Sequence, residues 1–330
     1  MGAAPEWRFD PLSGRRVLIA PDRADRPMRP GVSCPFCEGH ESETPPEVLA
    51  FRDPGSQPNG PGWRVRVVPN RYAAVRMDAG NSIVGPTPIA DAPGSSAPRM
   101  PGTGVAEVFL EGPHHETQFN KLSPVIARDA IRAWRDRLRF WRDDGRLEFA
   151  LVFKNEGAAA GASVEHCHSQ LIGVPFVPPL IVGELDHVAS LAQSAGACPF
   201  CRWIQSERRS PRFVAETEGY IVLCPFAPRF PGETWVLPTT HAPRFESFRD
   251  VELEPVATVL QDLLGRTHRA SGGADFNVIV KSAPFHYEGP YHWRLEVLPR
   301  ATSTAGWEWG TGLLINTMFP ERAAELLRGA

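Results

Sequence analysis

No run of 18 apolar residues occurs in this sequence, and its opening stretch, MGAAPEWRFDPLSGRRV, holds nothing resembling a signal peptide. A spanning helix needs about 20 predominantly apolar residues, so no membrane partner is expected and the chain is read as soluble and cytoplasmic. MGAAPE also lacks the Ser or Thr at the sixth position that a myristoylation signal prefers, and Gly2 is read as unmodified. An excess of charge of either sign is missing too: the formal net charge is −3 and the pI near 6.4. That argues against nucleic acid, whose backbone demands a clearly basic face, but admits small phosphorylated ligands that need only a few local donors. Cysteine is scarce. The six fall at 34, 37, 167, 198, 201 and 224, and four of them form two C-x-x-C pairs. In a cytosolic chain such pairs indicate metal or redox chemistry before structural disulfides.

The 330 residues, 42% hydrophobic, suffice for one large core or two joined ones. An internal repeat favours two. In the first half, CPFC (Cys34 to Cys37) leads to SPVIARDAIRAWRDRLRFW, the apolar run LEFALVFK, a Gly/Ala-rich loop and VEHCHSQLIGVP. In the second, CPFC (Cys198 to Cys201) leads to LEPVATVLQDLLGRTHRA, FNVIVK, a loop and YHWRLEVLP. Lys154 precedes His166 by about as many positions as Lys281 precedes His292. Val125, Ile131, Trp134, Leu138 and Trp141 at helical spacing predict a helix with Ser123 as N-cap and Pro124 at its first position. LEFALVFK, FNVIVK and HSQLIGV are short, β-rich and turn-bounded and are read as strands. The expected fold class is α+β: two tandem halves, 1–178 and 179–330, each an antiparallel sheet with packed helices, joined near residues 175–195. Segments 84–104 and 284–290, rich in Pro, Gly and Ser, are read as loops, the first long enough to suggest a functional or mobile segment.

His166-Cys167-His168-Ser169-Gln170 follows the loop Asn155 to Ser163. Placed at the start of a strand, the alternation would project His166, His168 and Gln170 from one face. A neutral imidazole can attack phosphorus near neutral pH if its other nitrogen donates to a fixed acceptor, and Gln170 could bind a phosphoryl oxygen as charge develops. A plain surface or structural pair is the competing reading of H-x-H. Two features count against it. The preceding glycine-rich loop, with Gly161, lets backbone N–H groups approach a phosphate. The second half has Arg294 and Glu296 where the first has His168 and Gln170, so one copy looks catalytic and the other degenerate.

Structural zinc wants four N or S ligands in a tetrahedron. Cys34, Cys37, His115 and His166 offer one such set, with His114 as an alternative to His115; Cys198, Cys201, His241 and His292 offer a second. A redox C-x-x-C is the rival, but the surroundings are not thioredoxin-like. Cys167 and Cys224 have no partner at metal spacing and are read as buried thiols. Four protein ligands leave no open position, so both zincs are expected to be structural, the first fixing the strand that carries His168.

Together the segments RFDPLSGRRVLIAPDRADRP, CPFCEGHESETPPEV, VVPNRYAAV, FKNEGAAAGAS, HCHSQ, PFAPRFPGETWVLPTTH, YHWRLEVLPR and AGWEWGTG resemble the galactose-1-phosphate uridylyltransferase family of the histidine-triad superfamily across nearly the whole chain. The resemblance implies histidine-triad-like halves and a covalent nucleophile at His168, with Gln170 on the phosphoryl group and Asn155 and Ser163 in the loop that holds the nucleotide phosphates. It also implies that Arg23 and Arg26 lie near the phosphates, that Asn70 contacts the nucleotide, and that the protein is a homodimer.

The implied reaction is ping-pong: a nucleoside diphosphate sugar gives its nucleoside monophosphate, UMP in the first instance, to His168, a sugar phosphate leaves, and a second phosphate acceptor takes the nucleotide. Two departures from the family pattern bear on the substrate. Cys167 stands where the family usually has Pro, and HCHSQ with a second C-x-x-C is closer to the branch that includes ADP-glucose phosphorylase-like proteins; adenylyl transfer to inorganic phosphate is therefore the alternative. His292-Trp293-Arg294 replaces the frequent H-W-H, which rules out a second metal site using both histidines. A nucleotide-binding protein without turnover and a histidine-triad hydrolase are the remaining readings. The second is disfavoured because such hydrolases usually carry a further histidine where Gln170 stands.

Overall fold

A computed structural model describes residues 4–10, 12–25, 33–78 and 99–330. Arg26 and residues 84–98 of the long Pro/Gly/Ser segment lie outside the described residues. The strands are β1 (Glu6–Phe9), β2 (Arg16–Ile19), β3 (Leu49–Arg52), β4 (Trp63–Pro69), β5 (Arg99–Pro101), β6 (Val105–Glu111), β7 (Phe149–Glu156), β8 (His168–Val174), β9 (Phe213–Thr217), β10 (Tyr220–Leu223), β11 (Thr234–Pro238), β12 (Phe276–Lys281) and β13 (Arg294–Pro299). The helices are α1 (Pro124–Asp144), α2 (Pro179–Ala195), α3 (Pro199–Glu207), α4 (Leu253–Ala270), α5 (Gly306–Thr311) and α6 (Pro320–Gly329).

Ten strands form one antiparallel sheet in the order β3-β4-β6-β8-β7-β12-β13-β11-β10-β9. Read outward from the β7–β12 seam, the two sides match: β7 with β12, β8 with β13, β6 with β11, β4 with β10 and β3 with β9. The tandem repeat is thus built as two five-stranded halves hydrogen-bonded edge to edge, Asn277 opposite Asn155 and Val280 opposite Val152. Joining the edges removes two exposed strand borders that would otherwise template aggregation.

Helix α1 starts as its sequence requires, with Ser123 Oγ accepting from the Ile126 N–H and Pro124 at the first position. Its apolar stripe Ile131, Trp134, Leu138 and Trp141 is buried, whereas Val125, in the first turn, faces solvent. Helix α4 lies against α1 and buries Val256, Leu260, Leu263 and Leu264 in the same core as Phe109, Val278 and Leu295 of the sheet. Three boundaries differ from the sequence expectation. The run predicted from Leu147 begins at Phe149 and continues to Glu156. Part of the predicted 84–104 loop, Arg99–Pro101, is a strand, because β1 offers it an edge with Glu6 opposite Pro101. The junction of the halves is occupied largely by helix α2.

Candidate functional site

Strand β8 begins at His168, not at His166. The two residues before it are held differently: the Cys167 N–H donates to the Glu116 carbonyl at 2.7 Å, and the Cys167 carbonyl accepts from the Glu111 N–H at 3.1 Å. His166 therefore leaves the expected row of three. Its Nε2 donates to the Gly112 carbonyl at 2.9 Å, and its Nδ1 faces Cys37 Sγ at 3.5 Å and Cys34 Sγ at 3.8 Å. His168 and Gln170 remain as alternate residues of one strand and line a cleft of about 580 Å³ together.

Within that cleft the His168 Nδ1 sits 2.7 Å from the His166 carbonyl oxygen. A carbonyl only accepts, so in the neutral ring the proton is on Nδ1 and the ring's lone pair is on Nε2, the arrangement a nucleophilic imidazole needs. Phe36, between the cysteines of the first C-x-x-C, packs edge-on against the His168 ring, with centroids 5.3 Å apart. The remaining wall brings in Val68, Asn70 and Tyr72 from the end of β4 and its turn, Val108 of β6, and Ser163 at the close of the glycine-rich loop. Apolar walls with a few convergent polar groups are the common form of a small-molecule site.

The other predicted ligand-binding residues are spread around this cleft. The Asn70 side chain accepts from the Tyr72 N–H at 2.9 Å, a turn that also presents Arg71 and Tyr72 to the cleft. Asn155 does not line the cleft; its Oδ1 accepts from Asn277 Nδ2. Gly161 occupies the left-handed region at φ +89° in the loop between Asn155 and Ser163. Arg23 lies in a short 3-10 helix, Pro21–Asp25, and is not among the residues lining the cleft.

Sequence reasoning missed Phe36, Arg71 and Tyr72, although each belongs to a motif it had singled out. It also missed the network beneath the site. Lys154 Nζ, 1% exposed, donates to Glu111 Oε2 at 2.8 Å and to the His168 carbonyl at 3.1 Å, and lies 3.1 Å from Cys167 Sγ. Glu111 also accepts from Trp134 Nε1 and Ser169 Oγ, tying β8 to α1. Burial pushes the Cys167 thiol well above its ordinary range, which favours the protonated thiol over the thiolate.

Both expected metal sets assemble. Cys34, Cys37, His115 and His166 place one ligand atom each within 4.8 Å of one another, as do Cys198, Cys201, His241 and His292. His115 Nδ1 lies 3.6 Å from Cys37 Sγ, which selects it over His114. In the second set His241 Nδ1 and His292 Nδ1 lie 3.5 and 3.8 Å from Cys201 Sγ. A tetrahedron with metal–sulfur near 2.3 Å and metal–nitrogen near 2.0 Å separates its N and S ligands by roughly 3.5 Å, so the donor sets fit a closed four-ligand metal. His292 Nε2 donates to the Pro238 carbonyl at 2.8 Å, as His166 does to Gly112, which turns Nδ1 toward the metal in both halves. Burial pulls both His166 and His292 down to about 4, keeping them neutral and able to ligate. Burial, with the neighbouring thiol of each pair, pushes Cys37 and Cys201 up to about 11, so they would ionise on binding metal.

Where the first half has His168 and Gln170, the second has a buried ion network. Arg294 bonds Glu296 and Glu184 at 2.8 Å each, Lys281 bonds Glu184 at 2.8 Å, and Arg229 reaches Glu296 at 2.6 Å. The equivalent position is filled with paired charges instead of a reactive ring. Helix α2, which carries Glu184, is fastened over it.

Comparison with known proteins agrees with this geometry. The model of the galactose-1-phosphate uridyl transferase N-terminal domain matches residues 64–178, and a domain of unknown function (DUF4921) matches 131–328. An ADP-glucose phosphorylase of Arabidopsis thaliana is 32% identical over 98% of this chain and 93% of its own length. A galactose-1-phosphate uridylyltransferase of Thermotoga maritima is 26% identical, with 98% of each covered. The crystal structure of an Arabidopsis ADP-glucose phosphorylase with bound ADP-glucose superposes with a TM-score of 0.79 at 31% identity, covering 99% of each chain. A structure described as a uridylyltransferase gives 0.81 at 25% identity, covering 98% of this chain and 97% of its own. With two matching halves, one strand presenting His168 and Gln170 to a cleft, and relatives that span its whole length, the chain belongs to the galactose-1-phosphate uridylyltransferase family of nucleotidyltransferases.

Proposed function

We propose that this protein transfers a nucleoside monophosphate from a nucleoside diphosphate sugar to a second phosphate through a nucleotidyl-His168 intermediate. The observation that carries the proposal is the 2.7 Å bond between His168 Nδ1 and the His166 carbonyl, in a cleft shared with Gln170 and Ser163. Nε2 of His168 attacks the α-phosphorus; the P–N bond forms as the P–O bond to the departing sugar 1-phosphate breaks. The acceptor phosphate then attacks the same phosphorus and the P–N bond breaks, returning the ring to its starting state. Gln170 and the backbone around Gly161 and Ser163 supply donors to the phosphoryl oxygens in both steps. Asn70 and Tyr72 bind the nucleoside, and Arg23, Arg26 and Asn155 are assigned to the phosphates by the family resemblance alone.

UMP transfer between UDP-glucose and a hexose 1-phosphate is the first reading. The second, adenylyl transfer from ADP-glucose to inorganic phosphate, has a specific observation behind it: 32% identity to the phosphorylase relative against 26% to the uridylyltransferase. Incubation with each donor and its acceptor separates them. ADP and glucose 1-phosphate released from ADP-glucose and phosphate support the phosphorylase reading. UDP-hexose formed only when hexose 1-phosphate is added supports the uridylyltransferase reading. No glucose 1-phosphate from either donor would sink the proposal.

Zinc is the metal proposed for both Cys₂His₂ sets, since thiolate and imidazole ligands in a closed tetrahedron suit it, and there it would hold structure. The division at residue 178, a homodimer and a cytoplasmic location complete the proposal. Four thiols available for metal suit a reducing compartment. Exposed Trp309, Leu313, Ile315 and Phe319 near the C-terminal end supply apolar surface for a second copy.

A further inference from the structure

The glycine-rich loop of the first half is gripped by the second half. It leaves β7 at Glu156 and returns at Ser163, and its composition, Gly157 through Ala162, gives it almost no side chain with which to hold a shape. Its own bonds are two: the Gly161 N–H to the Ala158 carbonyl at 3.0 Å and the Ala162 N–H to the Gly157 carbonyl at 3.1 Å. Fixing such a backbone costs about 1–2 kcal/mol per residue, which two internal bonds do not offset.

Three further bonds come from across the β7–β12 seam. Asp275 Oδ2 accepts from the Ala159 N–H at 2.7 Å. Asn277 donates to Asn155 Oδ1 at the end of β7 at 2.9 Å and to the Ala160 carbonyl of the loop at 2.8 Å. The fit is close: Gly157 has φ +87°, and a Cβ there would lie 1.9 Å from Asp275 Oδ1. Only glycine satisfies both the left-handed backbone and the contact.

We infer that Asp275 and Asn277 are positioning residues, contributed by the half without a nucleophile, that hold the glycine loop in the shape in which it cradles the transferred phosphate beside His168. The inference rests on the proposed nucleotidyl transfer. It gives the second half a part in the chemistry: its strand order is retained because β12 must arrive beside β7 with Asn277 opposite Asn155.

The test follows donor-dependent labelling of His168 in the full-length, metal-loaded protein, with UDP-glucose and ADP-glucose as donors. Asp275→Ala removes the acceptor for the Ala159 N–H and Asn277→Asp removes the amide donor to Asn155 and Ala160, whereas Asp275→Asn keeps an acceptor for the Ala159 N–H. The expected result is a drop in kcat/KM for labelling on the order of 10- to 100-fold in the first two. Asp275→Asn should stay within about threefold, since an amide oxygen also accepts. A fall in melting temperature with kcat/KM unchanged, at a temperature where all variants are folded, would reduce the pair to ordinary stabilising residues and overturn the inference. So would labelling as slow in Asp275→Asn as in Asp275→Ala. Absence of labelling in the unsubstituted protein overturns the nucleotidyl transfer itself, and the positioning role with it.

Discussion

The backbone carbonyl of His166 receives the Nδ1 proton of His168 at 2.7 Å, while the His166 ring faces Cys34 and Cys37. One residue thus belongs to the first metal set by its side chain and to the reactive ring by its main chain. A metal held by the first set would therefore bear on the proposed chemistry through His166, although four protein ligands would leave it no open position for substrate.

The two metal sets should differ in consequence. Cys37→Ser disturbs the loop that carries Phe36 against His168, and kcat/KM for nucleotidyl transfer should fall on the order of 10- to 100-fold. Cys201→Ser disturbs a set about a plugged site and should lose one equivalent of bound metal with a far smaller loss of rate. Metal content by mass spectrometry together with steady-state rates, at a temperature where both variants are folded, checks this; equal losses of rate would contradict the link through Phe36 and His166.

Lys154 and Glu111 are a buried pair, 1% and 0% exposed. Lys154→Met leaves Glu111 buried without its cation and should lower the unfolding free energy by about 3–5 kcal/mol. Lys154→Met combined with Glu111→Gln should recover part of that loss. Urea unfolding of the two variants decides it, and a double variant no more stable than the single would argue against an unpaired buried charge as the cause.

Acid stability should depend on Glu184. Burial alone would raise its carboxyl, but Arg294 and Lys281 outweigh burial and hold it at about 2, below the ordinary 4.5. A depressed folded value means that the carboxylate's contribution is complete above pH 4.5 and is lost as pH falls through 2. At about 1.4 kcal/mol for each pH unit between the two values, that contribution is about 3 kcal/mol. The unfolding free energy of Glu184→Gln should therefore fall less steeply than that of the unsubstituted protein between those pH values. Parallel curves would mean that the ion network over the second half does not stabilise it.

Much of this architecture was legible because its signals are local. Ser123-Pro124 and the stripe Ile131, Trp134, Leu138 and Trp141 fixed α1, the run FNVIVK fixed β12, and the doubled C-x-x-C with its histidines gave both metal sets. What stayed hidden depends on partners distant in sequence. Nothing near residue 99 announces a strand until β1 supplies an edge, and the His166 ring leaves the strand row only because Gly112 and two cysteines claim it. The grip of Asp275 on Ala159 spans 116 residues. Lys154, singled out only for its spacing, shows its role once Glu111 is folded against it from 43 residues away. Arg294 and Glu296 were visible as the replacements for His168 and Gln170, yet the sequence did not show that Glu184 of α2 completes their ion network.

The central claim, a nucleotide carried on His168, is met most directly by intact-mass spectrometry under alkaline quench after separate incubation with UDP-glucose and ADP-glucose. The account expects one nucleoside monophosphate per chain with at least one donor, absent in His168→Gly, since a P–N bond to that ring has no substitute in the cleft. An adduct that persists in His168→Gly, or none on the unsubstituted protein with either donor, would contradict it.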